Sequence, residues 1–157
     1  MITFNHQKGC SNVMKLMQTK LKNDFALGII DEDKRVMFYA EEFELLNDVE
    51  GLIKLLKHPR QNHFIIYISP AMEKWLLTVS RSQNINLSEF GLPTDVKGLV
   101  SITKTTKSEN NDPFSSNLKD LFKTLKISSS PIIATLIFWI EYLKENPYDA
   151  NLELLKN

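Results

Sequence analysis

Alternation of apolar and polar positions is sharpest in the first half of the chain. Phe25 to Ile30 are apolar apart from Gly28, and Asp31, Glu32 and Asp33 follow directly. A short apolar run closed by carboxylates predicts a strand buried on both faces whose carboxyl end opens to solvent. Side chains alternate along a strand, so Asp31 and Asp33 share one side, about 6 to 7 Å apart, while Glu32 points the other way. Leu52–Lys57 and His63–Ile68 predict two further strands, joined by the hairpin loop His58–Asn62, where Pro59 disfavours pairing. HFIIYI, rich in β-branched and aromatic residues, is expected inside the sheet.

Helical spacing marks other segments. Ser11 is a plausible N-cap for a helix to about Lys22, with Val13, Leu16, Met17 and Leu21 on its buried face. With a short strand at Ile2–Phe4 and the strand at Phe25, this makes a βαβ unit with parallel neighbours. Ser69-Pro70 reads as a cap and first helical position, and Met72, Trp75, Leu76 and Val79 form an inward stripe. Phe38–Leu46 fits either a helical turn or a strand. Leu87–Phe90 reads as a turn of helix closed by Gly91 and Pro93. Thr94 caps a helix to about Thr103, with Val96, Leu99 and Val100 inward. Residues 104–111 form a polar linker. Asp112-Pro113 and Ser130-Pro131 open two more helices, the first carrying Phe114, Leu118, Leu121, Phe122 and Leu125. Asn146-Pro147 ends the second, and Asp149 caps a last short one. The expected architecture is one α/β domain over 1–157, a core at 1–84 covered by a helical extension at 85–157.

Composition adds limits. With 157 residues, 43% hydrophobic and 24% charged, the chain is globular in type. Net charge is zero, but residues 31–50 carry eight acids against Lys34 and Arg35, so a mildly basic body surrounds an acidic stretch. No strongly basic nucleic-acid footprint is present. Cys10 is the only cysteine, which excludes a disulfide framework and a cysteine zinc site. The start of the chain lacks a signal-peptide core, and Ile132–Ile140 is far shorter than a membrane span. The expectation is a cytoplasmic protein without membrane contact. Trp75 and Trp139 are expected in the core, and His58 and His63 on the loop surface.

If the strands run parallel, Asp31, Asp33 and Glu73 meet at one edge of the sheet, as carboxylates that hold Mg²⁺ do. GIIDED, with SPAMEKWLL at Ser69–Leu77, resembles the Toprim-type catalytic fold of topoisomerases and primases. It is similar in particular to the overcoming-lysogenization-defect nucleases and the RloB-like abortive-infection proteins. The likeness covers roughly the first 80 residues of the chain. It implies a small, largely parallel sheet flanked by helices, with a helical C-terminal half. It also implies Mg²⁺ or Mn²⁺ at Asp31, Asp33 and Glu73, and nuclease or phosphotransfer chemistry on nucleic acid in bacterial or mobile-element defence. The family's first-motif glutamate aligns with His6, which takes its catalytic place beside Glu73, and the following Lys8-Gly9 forms a loop able to approach phosphate. The loss of that glutamate opens the alternative of a catalytically degenerate module that binds a protein partner.

Overall fold

Helix α1 (Cys10–Thr19) lies on strand β1 (Ala26–Asp31) because the strand carries a glycine where the two approach most closely. A Cβ at Gly28 would stand 3.0 Å from Met17 Sδ and 3.1 Å from Val13 Cγ1. The computed structural model describes residues 9–32, 38–105 and 113–157; the expected strand Ile2–Phe4 lies outside them. α1 begins at Cys10, ahead of the Ser11 cap. Gly9, at φ 85°, takes the cap position, and its carbonyl accepts from Asn12 N and Val13 N. The helix closes at Thr19, short of Lys22, where the Leu16 carbonyl accepts both Lys20 N and Leu21 N.

The remaining strands are β2 (Glu44–Val49), β3 (Ile53–Lys57) and β4 (His63–Ile68), in the order β1-β4-β3-β2. β1 and β4 run parallel, with Ala26 opposite His63 and Asp31 opposite Ile68. The β2/β3 and β3/β4 pairs are antiparallel, so the largely parallel sheet expected from the sequence is a mixed one. Tight turns decide this, since a hairpin can only join antiparallel neighbours. Glu50 and Gly51 both have positive φ, at 54° and 67°, and Leu52 N donates to the Val49 carbonyl at 2.9 Å. Two successive left-handed residues closed by that bond make a turn of the type I′ kind at the tip of the three-residue connection Glu50–Leu52, with a twist that matches the strands it joins. The unassigned stretch Phe38–Leu46 resolves into a 3₁₀ turn at Ala40–Glu42 and the start of β2.

The described chain divides into two compact units. The first, Met1–Ala71 with Leu136–Asn157, holds the sheet. Its core on the α1 side includes Met14, Met17, Ala26, Ile30, Tyr39, Phe43 and Ile65. The C-terminal tail is tied to the same unit. Asn47 Nδ2 donates to the Leu155 carbonyl at 3.0 Å, and Asn62 Nδ2 donates to the Pro147 carbonyl.

The second unit, Met72–Thr135, is helical. Helix α2 (Met72–Ser82) starts two residues after Pro70, not at it, and the Ser69–Pro70 bond is cis. Its carboxyl end is a Schellman motif. Ile85 N donates to the Ser80 carbonyl, Asn84 N donates to the Arg81 carbonyl, and Asn84 is left-handed at φ 56°. The 3₁₀ turn Leu87–Phe90 is capped by Asn86 and closed by left-handed Gly91. In α3 (Val96–Thr105) the cap is Asp95, whose Oδ1 accepts Gly98 N, rather than Thr94. Leu99 is buried, but Val96 faces outward with 41% exposure. In α4 (Pro113–Ile127) Leu121 and Leu125 are buried while Phe122 is exposed. Ser130 Oγ accepts Ile133 N at the start of α5 (Pro131–Glu145), as its Ser-Pro signal predicts. The last helix, α6 (Leu152–Leu155), is capped by Asn151 rather than Asp149. Trp75 and Trp139 are buried, as expected. No single helix among the described residues is long and apolar enough to cross a membrane.

Candidate functional site

The carboxyl ends of the parallel pair β1/β4 form the rim at which ligands of open α/β sheets bind. Asp31 ends β1 opposite Ile68, and Glu32 N extends the ladder by donating to the Ile68 carbonyl at 2.9 Å. The amino end of α1 comes to the same rim, for Cys10 Sγ lies 3.8 Å from the Asp31 carbonyl oxygen. Gly9 therefore stands where the partial positive charge of a helix start meets the end of the acidic strand.

Glu32 is committed elsewhere. Lys54 of β3 reaches both of its oxygens, at 2.7 and 2.9 Å. Burial raises the affinity of this carboxyl for a proton, but the hydrogen bonds from Lys54 and the Ser69 hydroxyl outweigh it and hold the pKa below the usual value. Tyr67 is pushed the opposite way, by burial first and then by the Glu32 charge, so its phenol stays protonated. Alternation places Glu32 on the α1 side with Ile30, and Asp31 on the other, as expected for those two acids.

Of the residues that the sequence singles out, the structure brings Gly9 and Asp31 to one rim. His6, Lys8 and Asp33 lie outside the described residues. Glu73 sits in the first turn of α2, in the second unit, and its Oε1 accepts a hydrogen bond from Thr103 Oγ1 at 2.7 Å. There it helps line a cavity of about 120 Å³ with Leu76, Leu99, Ile102 and Phe122. Among the described residues no three His, Cys, Asp or Glu side chains gather into a metal-binding group.

Sequence reasoning missed a polar cluster inside the first unit. His58 and His63, expected on the loop surface, are 2% and 0% exposed. His58 Nδ1 accepts Arg60 N at 3.0 Å and Gln61 N at 2.9 Å. It therefore carries no proton, and Nε2–H faces Glu42 Oε2 at 3.1 Å. His63 Nε2 donates to the Leu21 carbonyl at 2.8 Å, which leaves Nδ1 to accept from Tyr39 Oη at 2.6 Å. Tyr39 and Phe43 pack on the His58 ring at 5.3 and 5.2 Å between centroids. Both rings are fully used as hydrogen-bonding groups, so the cluster braces the hairpin and has no free nitrogen for proton transfer. Alternation with Ile65 and Tyr67 places His63 on an inward face; nothing in the sequence signals His58.

No protein-family model, curated protein or solved structure matches the chain. What the fold establishes is a class: an α/β protein with a four-stranded mixed sheet.

Proposed function

We propose that the rim at the ends of β1 and β4 is a divalent-cation site for cleaving or transferring phosphodiester groups of nucleic acid. The observation that carries this reading is the contact between Cys10 Sγ and the Asp31 carbonyl oxygen. It sets a helix start, which attracts phosphate, against the backbone end of β1, whose Asp31 carboxylate, on the other face of the sheet, attracts a cation. The donor type fits Mg²⁺ or Mn²⁺: Asp31 offers a hard carboxylate oxygen, and Glu32, neutralised by Lys54, does not compete for the ion.

In this reading Asp31 and Asp33 hold the cation, and the Lys8-Gly9 segment approaches the phosphate. His6 gives or takes a proton close to it, as an imidazole does near neutral pH. Glu73 enters the set through the Toprim resemblance alone. The ion supplies charge for the attacking and leaving oxygens. Cleavage of single- and double-stranded nucleic acid with Mg²⁺ or Mn²⁺, together with Mn²⁺ binding, tests it. Asp31→Asn with Asp33→Asn is expected to abolish cleavage and weaken Mn²⁺ binding while the circular dichroism spectrum is kept. Wild-type behaviour of that double variant sinks the reading.

A second reading, a non-catalytic module that binds a protein partner, is favoured by the Glu73–Thr103 hydrogen bond. That bond satisfies the Glu73 carboxylate within its own unit. This reading predicts no turnover and a partner retained equally by wild type and the double variant.

A further inference from the structure

The second unit carries an open cleft of about 310 Å³ between the Schellman turn of α2 and the segment after it. Its apolar lining comes from Leu77, Ile85 and Leu87, and its rim from Arg81, Asn84 and Asn86. The local reasons for this shape are plain. Left-handed Asn84 turns the chain out of α2, and the cap at Asn86 starts the next 3₁₀ turn, so the two asparagines stand on a sharp bend.

Of the polar groups on the lining, Arg81 can only donate, whereas Asn84 and Thr94 can donate or accept. Among the described residues no carboxylate pairs with Arg81, and no acidic side chain lines the cleft. Asn86 spends Oδ1 on Ser88 N at 3.1 Å, which leaves its Nδ2 as a donor. Thr94, also on the lining, adds a hydroxyl. A planar guanidinium pairs bidentately with a phosphate as it does with a carboxylate, and the neighbouring N–H and O–H donors offer partners for a phosphate's third terminal oxygen. An apolar floor beneath them suits a flat ring, and the volume is that of the smaller ligand clefts.

We propose that this cleft binds a nucleotide, with the terminal phosphate on Arg81 and Asn86 and the base over Leu77, Ile85 and Leu87. The site shares no residue with the strand-end rim and needs no metal ion, so it goes beyond the activity proposed above. Its source is a free mononucleotide or the phosphorylated end of a strand, which share this chemistry.

The test is equilibrium titration of the full chain, in EDTA, with adenosine monophosphate, adenosine and inorganic phosphate. The monophosphate is expected to saturate the site and to bind at least about tenfold more tightly than either fragment. Arg81→Met is expected to weaken it about ten- to a hundredfold. Asn86→Asp keeps the cap, because aspartate caps as well as asparagine, but puts a negative charge on the rim, and is expected to abolish binding. Competition by an oligonucleotide with a terminal phosphate, but not by the unphosphorylated strand, assigns the site to strand ends; competition by neither assigns it to free nucleotides. Absence of saturable binding, equal affinity for adenosine, or indifference to both substitutions overturns the proposal. Because EDTA removes the ion that the strand-end activity requires, the two proposals fail independently.

Discussion

Tyr39 Oη lies 2.6 Å from His63 Nδ1, and the opposite ring nitrogen is 2.8 Å from the Leu21 carbonyl. A carbonyl cannot donate, so the Leu21 bond fixes the proton on Nε2 and makes the Tyr39 hydroxyl the donor to Nδ1. Tyr39→Phe removes that donor and strands a buried acceptor. Such a loss costs about 1–3 kcal/mol, more than the hydrogen bond itself contributes. Urea unfolding of Tyr39→Phe is expected to show a lower midpoint with an unchanged slope. A nitrogen-15 spectrum of wild type is expected to show His63 as the Nε2–H tautomer.

The same ring makes stability depend on pH. Burial holds the His63 pKa below its ordinary value of 6.5, the Leu21 bond offsetting this in part and His58 adding to it; Lys57 brings further positive charge. The unfolded chain therefore takes up a proton near pH 6.5 that the folded chain refuses. Stability from this group is complete above that pH and declines as pH falls from it towards the folded value. Glu32 acts in the same direction at lower pH, because its lowered pKa contributes stability that is lost as the carboxylate protonates. Unfolding free energy measured from about pH 8 to 5 is expected to fall with pH, with a flatter profile for His63→Gln.

How far the fold is legible in the sequence depends on how local each determinant is. The Leu52–Ile68 hairpin and the strand ending at Asp31 follow from apolar runs and turn residues, and the structure has both. β2 escapes because an edge strand is half exposed, and ELLNDV carries no sustained apolar run. Val96 satisfies helical spacing yet faces outward, and Phe122 stays part-exposed beside the cavity it lines; spacing defines a stripe, and neighbouring elements decide how wide a stripe is covered. The site divides in the same way. Asp31 at a strand end is legible, whereas the Glu32–Lys54 pair depends on β4 lying between β1 and β3, and strand order is a long-range property.

The turn joining β2 to β3 is a place where sequence and backbone disagree. Glu50 adopts φ 54°, a conformation that asparagine and glycine enter readily and other residues resist. Asn-Gly is the preferred pair for a type I′ turn. Glu50→Asn is expected to raise stability by about 0.5–1 kcal/mol without moving the register. Gly51→Ala, at φ 67°, is expected to cost about 1–2 kcal/mol. Thermal unfolding of the two variants, in opposite directions from wild type, checks both.

Gly28 links packing to the proposed rim. The Met17 sulfur, 3.0 Å from where a Cβ would stand, ends a flexible side chain that is able to yield, whereas Val13 at 3.1 Å is β-branched and stiff. Gly28→Ala is therefore expected to cost about 1 kcal/mol. Gly28→Val, which adds bulk on the Val13 side, is expected to cost about 1–3 kcal/mol through overpacking. Since α1 carries Cys10 and Gly9 to Asp31, pushing the helix outward should also weaken Mn²⁺ binding in Gly28→Val more than in Gly28→Ala. Val13→Ala makes room on the side that cannot yield, so the Gly28→Val, Val13→Ala double variant is expected to lose less stability than the two single losses summed, and to recover Mn²⁺ affinity. Strict additivity in stability, or ion binding indifferent to both Gly28 variants, would show that the position of α1 does not govern the rim.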